Sequence, residues 1–306
     1  MCDHLGKTSE HPIYISLGNI PSWLQNKSHA KVLVSYLPKL KAKDNTTRNS
    51  KSLQKLQRQV FQRCLNILLS PILNQSDMYF VVKNEIHAFT PKISVILADM
   101  VEAEAFTATY LPSTSKRPCC YCLIDNNDLN NMKLSNVILR TPQKMQEVIT
   151  IDQAHEFSIH TEFNFFWKFK DFNIYEATVP DRMHMLDLRI TKYLLEFTCA
   201  YLQQNVSGKA VKEMDHRLCA ISCYSGLIIL KNGLENILKF TANNYRNIMK
   251  VIIFVIDNLC DNHNEECEKL CNIFHKYLKM YMMLRQESFI ENDLGELEVV
   301  ISLKNL

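Results

Sequence analysis

Residues 179–187 read VPDRMHMLD, and the fold class turns on this stretch. Just upstream, 172–179 (FNIYEATV) is rich in β-branched and aromatic residues and predicts a strand. Pro180-Asp181 ends it. Downstream, Leu186, Ile190, Leu194 (or Tyr193), Phe197 and Tyr201 recur at helical spacing, which predicts one long helix to about Gln204. Asp181 therefore stands where a strand hands over to a helix. His184, three residues on, shares its helical face. Carboxylates grouped at such an edge can hold the paired Mg²⁺ ions of in-line phosphoryl transfer. Aspartate is equally a favoured helix N-cap, and histidine a common core residue, so the spacing fits both roles.

Working towards the N-terminus, 85–89 and 78–82 form a hairpin around Lys83-Asn84, and 91–106 (PKISVILADMVEAEAF) looks helical. Leu53, Leu56, Val60, Cys64 and Ile67 mark one face of a helix that Pro71 terminates. Residues 31–37 and 12–20 read as strands. Towards the C-terminus, helices are expected over 209–222, 227–240, 244–260 and 264–288. The chain thus divides into a mixed α/β part, residues 1–204, and an α-helical block, residues 205–306. An irregular insertion lies at about 111–170.

The chain has 306 residues, 47% hydrophobic and 22% charged, enough to bury a sizeable core. No apolar run approaches the length of a membrane span, and the first ten residues lack the apolar stretch of a secretory signal. Eleven scattered cysteines do not resemble a disulfide framework and point to a reducing compartment, nuclear or cytoplasmic. The net charge of +3 conceals an asymmetry. Ten Lys/Arg against one acid, Asp44, lie between Lys27 and Arg63, whereas Asp257 to Glu298 carries ten acids and four bases. Lys39, Lys41, Lys43, Arg48, Lys51, Lys55 and Arg58 could follow a phosphate backbone, and a solvated helix face beside a polar loop explains them too.

Two further groups carry metal-ligand chemistry. Cys119 and Cys122 form a C-x-x-C, half of a zinc site in a reducing compartment. His155 and His160, in HEFSIH, have the gap of a histidine pair and complete a Cys₂His₂ set. Cys219 and Cys223 are a rival pair, in a helix where cysteines usually pack as small hydrophobes. Asp99 and Glu102, one helical turn apart, could ligate metal or simply face solvent.

Taken in order, several blocks resemble the Plavaka-type transposases, of the CACTA-like, Kyakuja–Dileera–Zisupton branch. They are HPIYISLGNI, AKVLVSYLPK, the spaced Pro91, Asp99 and Glu102 of PKISVILADMVEA, the CCYC element, NFFWKF, VPDRMHMLDL, and LKNGLENILKFTANNYRNIMKVIIFVIDNL. Together they span about residues 7–300. The resemblance implies a ribonuclease-H-like α/β core with an incomplete mixed sheet, followed by a helical insertion block. It implies DNA as the partner, no small-molecule substrate, and strand transfer by an Asp-Asp-Glu triad with two Mg²⁺ ions. Asp181, followed three residues later by His184, looks like the second Asp of that triad. The C-x-x-C matches the family's own and strengthens the expectation of structural zinc. The first Asp and the third Glu of the pattern fall outside the residues of this sequence, and Arg189 stands where a Gly is usual. The expectation is a transposase remnant without strand transfer of its own that retains DNA affinity. The alternative is a helical protein-interaction module derived from a transposon.

Overall fold

The structure, a computed structural model, describes residues 11–25, 27–42, 44–110, 115–131, 136–222, 224–227, 232–234, 237–259 and 264–301. Two compact units are present, Met1–Pro180 and Asp181–Leu306. Within the second, helix Lys192–Asn205 packs against Gly208–Ala220.

In the first unit, β1 (His11–Ser16) and β2 (Lys31–Leu37) pair antiparallel, with a bulge between Ile13 and Tyr14. Short helices α1 (Ser22–Gln25) and α2 (Asn45–Arg48) precede the long α3 (Lys51–Asn74). Ser50 caps α3 by accepting the Leu53 N–H at 3.2 Å. Pro71 does not end this helix, which continues to Asn74. Pro71 removes only the donor to the Ile67 carbonyl, and Ile67 lies on the exposed side, where water can serve instead. β3 (Met78–Val82) and β4 (Glu85–Phe89) form the expected hairpin. Lys83 and Asn84 both have positive φ (52° and 68°), as a two-residue hairpin turn of type I′ requires.

Two departures from the sequence pattern have local causes. The helix expected from Pro91 is instead a strand, β5 (Ile96–Ala98), followed by α4 (Met100–Thr107). Asp99 and Glu102 form a capping box, and that signal starts the helix at Met100. The strand expected over 172–179 is a single helical turn, α6 (Ile174–Ala177), then β6 (Thr178–Pro180). Asn173 accepts the Tyr175 N–H at 3.1 Å and so opens that turn. β5 and β6 pair in parallel. Among the described residues the strands form three separate two-stranded sheets, and no single mixed sheet joins them.

The first unit's core gathers around Phe165, Phe166, Ile174, Tyr175, Leu65 and α5 (Pro142–Thr150), which contributes Met145 and Val148. Each such side chain, fully buried, stabilises by roughly 1.5–3 kcal/mol. Phe166 meets Phe165, Phe169, Phe172 and Phe106 with ring centroids 5.8–6.3 Å apart.

The second unit opens with a π-helix, Met183–Thr191, that runs into α7 (Lys192–Asn205). Next come α8 (Gly208–Ala220), α9 (Ala242–Met249), α10 (Ile252–Ile256), α11 (Asn264–Met283) and α12 (Glu291–Ile301). The single helix expected over 244–260 is broken between Met249 and Ile252, while Ile248, Ile252, Val255 and Ile256 remain buried with Leu270 and Phe274. Part of the helix expected over 227–240 lies outside the described residues; the described part is turn and the 3₁₀ segment Ile237–Lys239. Among the described residues no helix is long and apolar enough to cross a membrane.

Candidate functional site

Asp181 is the first residue of the second unit and engages its own helix start. Oδ1 accepts the Met183 N–H at 3.3 Å, and Oδ2 accepts the His184 N–H at 3.2 Å. Oδ2 also lies 2.5 Å from His184 Nδ1. A carboxylate can only accept, so Nδ1 carries the proton of this bond. The His184 side chain is 41% exposed. Capping and ring orientation, the plainer of the two roles open to Asp181, are therefore realised. Arg189 is exposed on the π-helix.

π-Helices are rare and usually a single turn, so nine residues need a local reason. The Leu186 carbonyl accepts from Thr191 Oγ1 at 3.0 Å and from Tyr277 Oη at 3.2 Å. Asp187, 1% exposed, accepts from Tyr281 Oη at 2.9 Å on one oxygen and from Arg246 Nε and Nη2, both at 2.6 Å, on the other. Burial draws the Arg246 guanidinium down, but the bond and charge of Asp187 prevail and its pKa is raised. The helices α9 and α11 are thereby tied to the π-helix through a residue the sequence had shown only as the last letter of VPDRMHMLD.

Asp99 and Glu102 are likewise spent locally. Asp99 Oδ1 accepts the Glu102 N–H at 2.8 Å, and Glu102 Oε1 stands 2.8 Å from His11 Nε2.

The C-x-x-C segment is built around Arg140, which is fully buried. Its guanidinium donates to the carbonyls of Cys119 (2.9 Å), Cys122 (3.2 Å), Arg117 (2.9 Å) and Phe157 (2.8 Å). Irregular backbone lacks ladder partners for its carbonyls, and one five-donor side chain supplies them here. Burial lowers the Arg140 pKa, against the pull of Tyr175 and the neighbouring thiols. Burial raises the Cys122 thiol, and the neighbouring Cys119 raises it further. Burial likewise pushes Cys120 up to about 12. His155 and His160 flank Tyr110 instead, with ring centroids at 6.0 and 4.6 Å. Burial, aided by Arg58, lowers His160 to about 4. Among the described residues no three His, Cys, Asp or Glu are grouped to hold one metal ion. The rival Cys219 lies in α8, and Cys223 is outside the described residues.

The basic segment is split by the fold. Lys39, Lys41, Arg48, Lys51 and Lys55 are exposed; Lys43 lies outside the described residues. Asp44, the one acid among them, caps α2 by accepting the Thr47 N–H at 2.6 Å, which holds its pKa low. Arg58 is committed elsewhere, in a two-point pair with Glu162 (3.2 and 3.1 Å), whose side chain is 7% exposed. Burial would raise Glu162, but the Arg58 bond and charge hold it below its ordinary value. A phosphate would have to displace that carboxylate, so Arg58 drops out of the candidate DNA-facing set. The sequence could not signal Arg140, Asp187 or Glu162, because each acts on a partner distant in the chain.

A parallel strand pair, a capped Asp-x-x-His at a helix start, a C-x-x-C turn and an exposed basic helix are thus held in one mixed α/β chain. The Plavaka transposase family model matches residues 2–197, and the chain belongs to that family. No curated protein and no solved structure matches it.

Proposed function

We propose that this chain is a DNA-contacting protein of Asp-Asp-Glu transposase descent with a ribonuclease-H-like core, and that it does not carry out strand transfer alone. Family membership implies DNA as the partner. The observation that carries DNA contact is α3 with its approach: Arg48, Lys51 and Lys55 are exposed, and α3 contains four cations and no acid. Such a surface binds phosphates by releasing counterions. In-line displacement needs two divalent ions clamped by several carboxylates. Asp181 has both oxygens engaged by its own helix start, and among the described residues no three-ligand group surrounds it. The residues described do not fit a two-magnesium site.

A mobility-shift titration of the full chain with duplex DNA across a salt series tests both parts. Affinity is expected to fall as salt rises. Lys51→Gln with Lys55→Gln is expected to make the salt dependence shallower, by about 0.9 for each phosphate no longer neutralised. Salt-independent absence of binding rejects DNA contact. Mg²⁺-dependent nicking that disappears in Asp181→Asn rejects the inactive assignment.

A further inference from the structure

In the first unit a shallow groove of about 180 Å³ is lined by Gln62, Arg63, Asn66, Phe163, Phe165 and Lys168. It is smaller than the ~300–1,000 Å³ pockets that enclose small molecules. It sets an exposed aromatic ring beside two cations. Phe163, an aromatic that would ordinarily be buried, is 56% exposed. Its ring is braced by Trp167, edge-on at 5.8 Å. The Lys168 ammonium sits 5.9 Å from the Phe163 centroid and 5.5 Å from that of Phe165, and donates to Asn66 Oδ1 at 2.7 Å. Arg63 is exposed and makes no hydrogen bond or ion pair with another described residue. Among the described residues no carboxylate lines the groove; Glu162, next in sequence to Phe163, is turned into its pair with Arg58. Gln62 is fixed beneath, accepting the Phe165 N–H at 2.8 Å and donating to the Ala105 carbonyl at 3.3 Å.

Along α3, Lys51, Lys55, Gln59 and Arg63 follow one another at intervals of four and all are exposed. Residues four apart are neighbours on a helix, so the row leads from the N-terminal cations to the groove. A row of cations ending at a held, exposed aromatic ring is the arrangement that takes single-stranded nucleic acid. Cations follow the backbone, and the ring stacks a base irrespective of its identity.

We propose that this groove binds an unpaired nucleotide of a DNA strand, with Phe163 stacking the base and Arg63 and Lys168 contacting the flanking phosphates. The proposal rests on the DNA-contact assignment above and specifies what that surface distinguishes: unpaired from paired DNA. Duplex bases are already stacked and cannot reach Phe163, so duplex should use only the cation row.

Fluorescence anisotropy with a labelled oligothymidine and with a duplex of the same length, on the full chain, tests it. Phe163→Leu keeps an apolar side chain and removes the ring; it is expected to weaken single-strand binding roughly 5- to 150-fold, with duplex binding little changed. Phe163→Trp is expected to retain single-strand affinity. Arg63→Gln should make the single-strand salt dependence shallower by about 0.7. Single-strand binding unaffected by Phe163→Leu, or weakened equally with duplex binding, overturns this proposal while leaving DNA contact standing. Failure of the unsubstituted chain to bind either probe overturns both.

Discussion

In the unit ending at Pro180 a fully buried arginine serves backbone carbonyls; in the unit beginning at Asp181 a fully buried aspartate serves side chains. Arg140 answers four carbonyls of a segment with little regular structure. Asp187 gathers Arg246 and Tyr281 from two helices whose backbones already satisfy themselves. The difference follows from the backbone around each. Where the chain is irregular, unpaired carbonyls are the problem and a donor-rich side chain is the remedy. Where it is helical, the backbone is paired and the buried polar group determines which helices dock, and in what register.

The contrast can be broken most directly at Arg140. Replacement by Met keeps much of the volume and removes every donor, leaving four part-buried carbonyls without that partner. The expected loss is about 3–5 kcal/mol, read from urea unfolding by tryptophan fluorescence. Both tryptophans, Trp23 and Trp167, lie in the first unit, so the signal reports that unit. A loss near zero would mean that the segment finds other donors.

Asp187→Ala should be milder, about 2 kcal/mol, seen as an earlier loss of helical circular dichroism on heating. Arg246, its side chain 37% exposed, can turn to water once its partner is gone, whereas Arg140 is fully buried among the carbonyls it serves. If Asp187→Ala proves costlier than Arg140→Met, the two hubs have been ranked in the wrong order.

The smallest effect expected is a pH dependence that belongs to the first unit. His160 takes a proton near 4 when folded and near 6.5 when unfolded. Its contribution is therefore complete above pH 6.5 and is lost progressively as the pH falls towards 4. Allowing for its partial exposure, this amounts to on the order of 1–2 kcal/mol. Glu162, held low by Arg58, extends the same trend to still lower pH, losing its contribution as the pH drops below its ordinary value. His160→Gln should flatten the tryptophan-detected stability between pH 6.5 and 4; an unchanged slope would assign the acid sensitivity elsewhere.

Elements with strong local signals were legible. The Lys83-Asn84 turn and the helices α3, α8 and α11 follow from short-range preferences, although α3 buries Leu65 and Leu69 and leaves Leu56 and Ile67 of the expected apolar face exposed. The 172–179 segment was not, because its aromatic and β-branched residues suit a strand while Asn173 supplies a helix cap, and burial of Ile174 and Tyr175 decided between them. The capping box at Asp99 is present in the sequence, but two acids one turn apart suit a metal ligand pair equally well. At the candidate site, Asp181 and His184 were placed together correctly by their spacing, since both lie within one helical turn. The Cys119 and Cys122 carbonyls share Arg140 Nε, for the same reason of proximity in sequence. The joining of that pair to His155 and His160 could not be judged from spacing, as it depends on how the 115–160 backbone wraps Arg140.

By itself, then, the sequence determined the mixed α/β character, the density of positive charge ahead of α3, the Asp-x-x-His and C-x-x-C pairs, and membership of the Plavaka transposase family. Tertiary structure alone decided which charges remain available. It withdrew Arg58 by supplying Glu162 from more than a hundred residues away, left Arg63 exposed beside Phe163, and turned Asp187 into a buried hub. The physical reason is range: propensity and periodicity act over a helical turn, whereas pairing and desolvation depend on neighbours that only folding brings together.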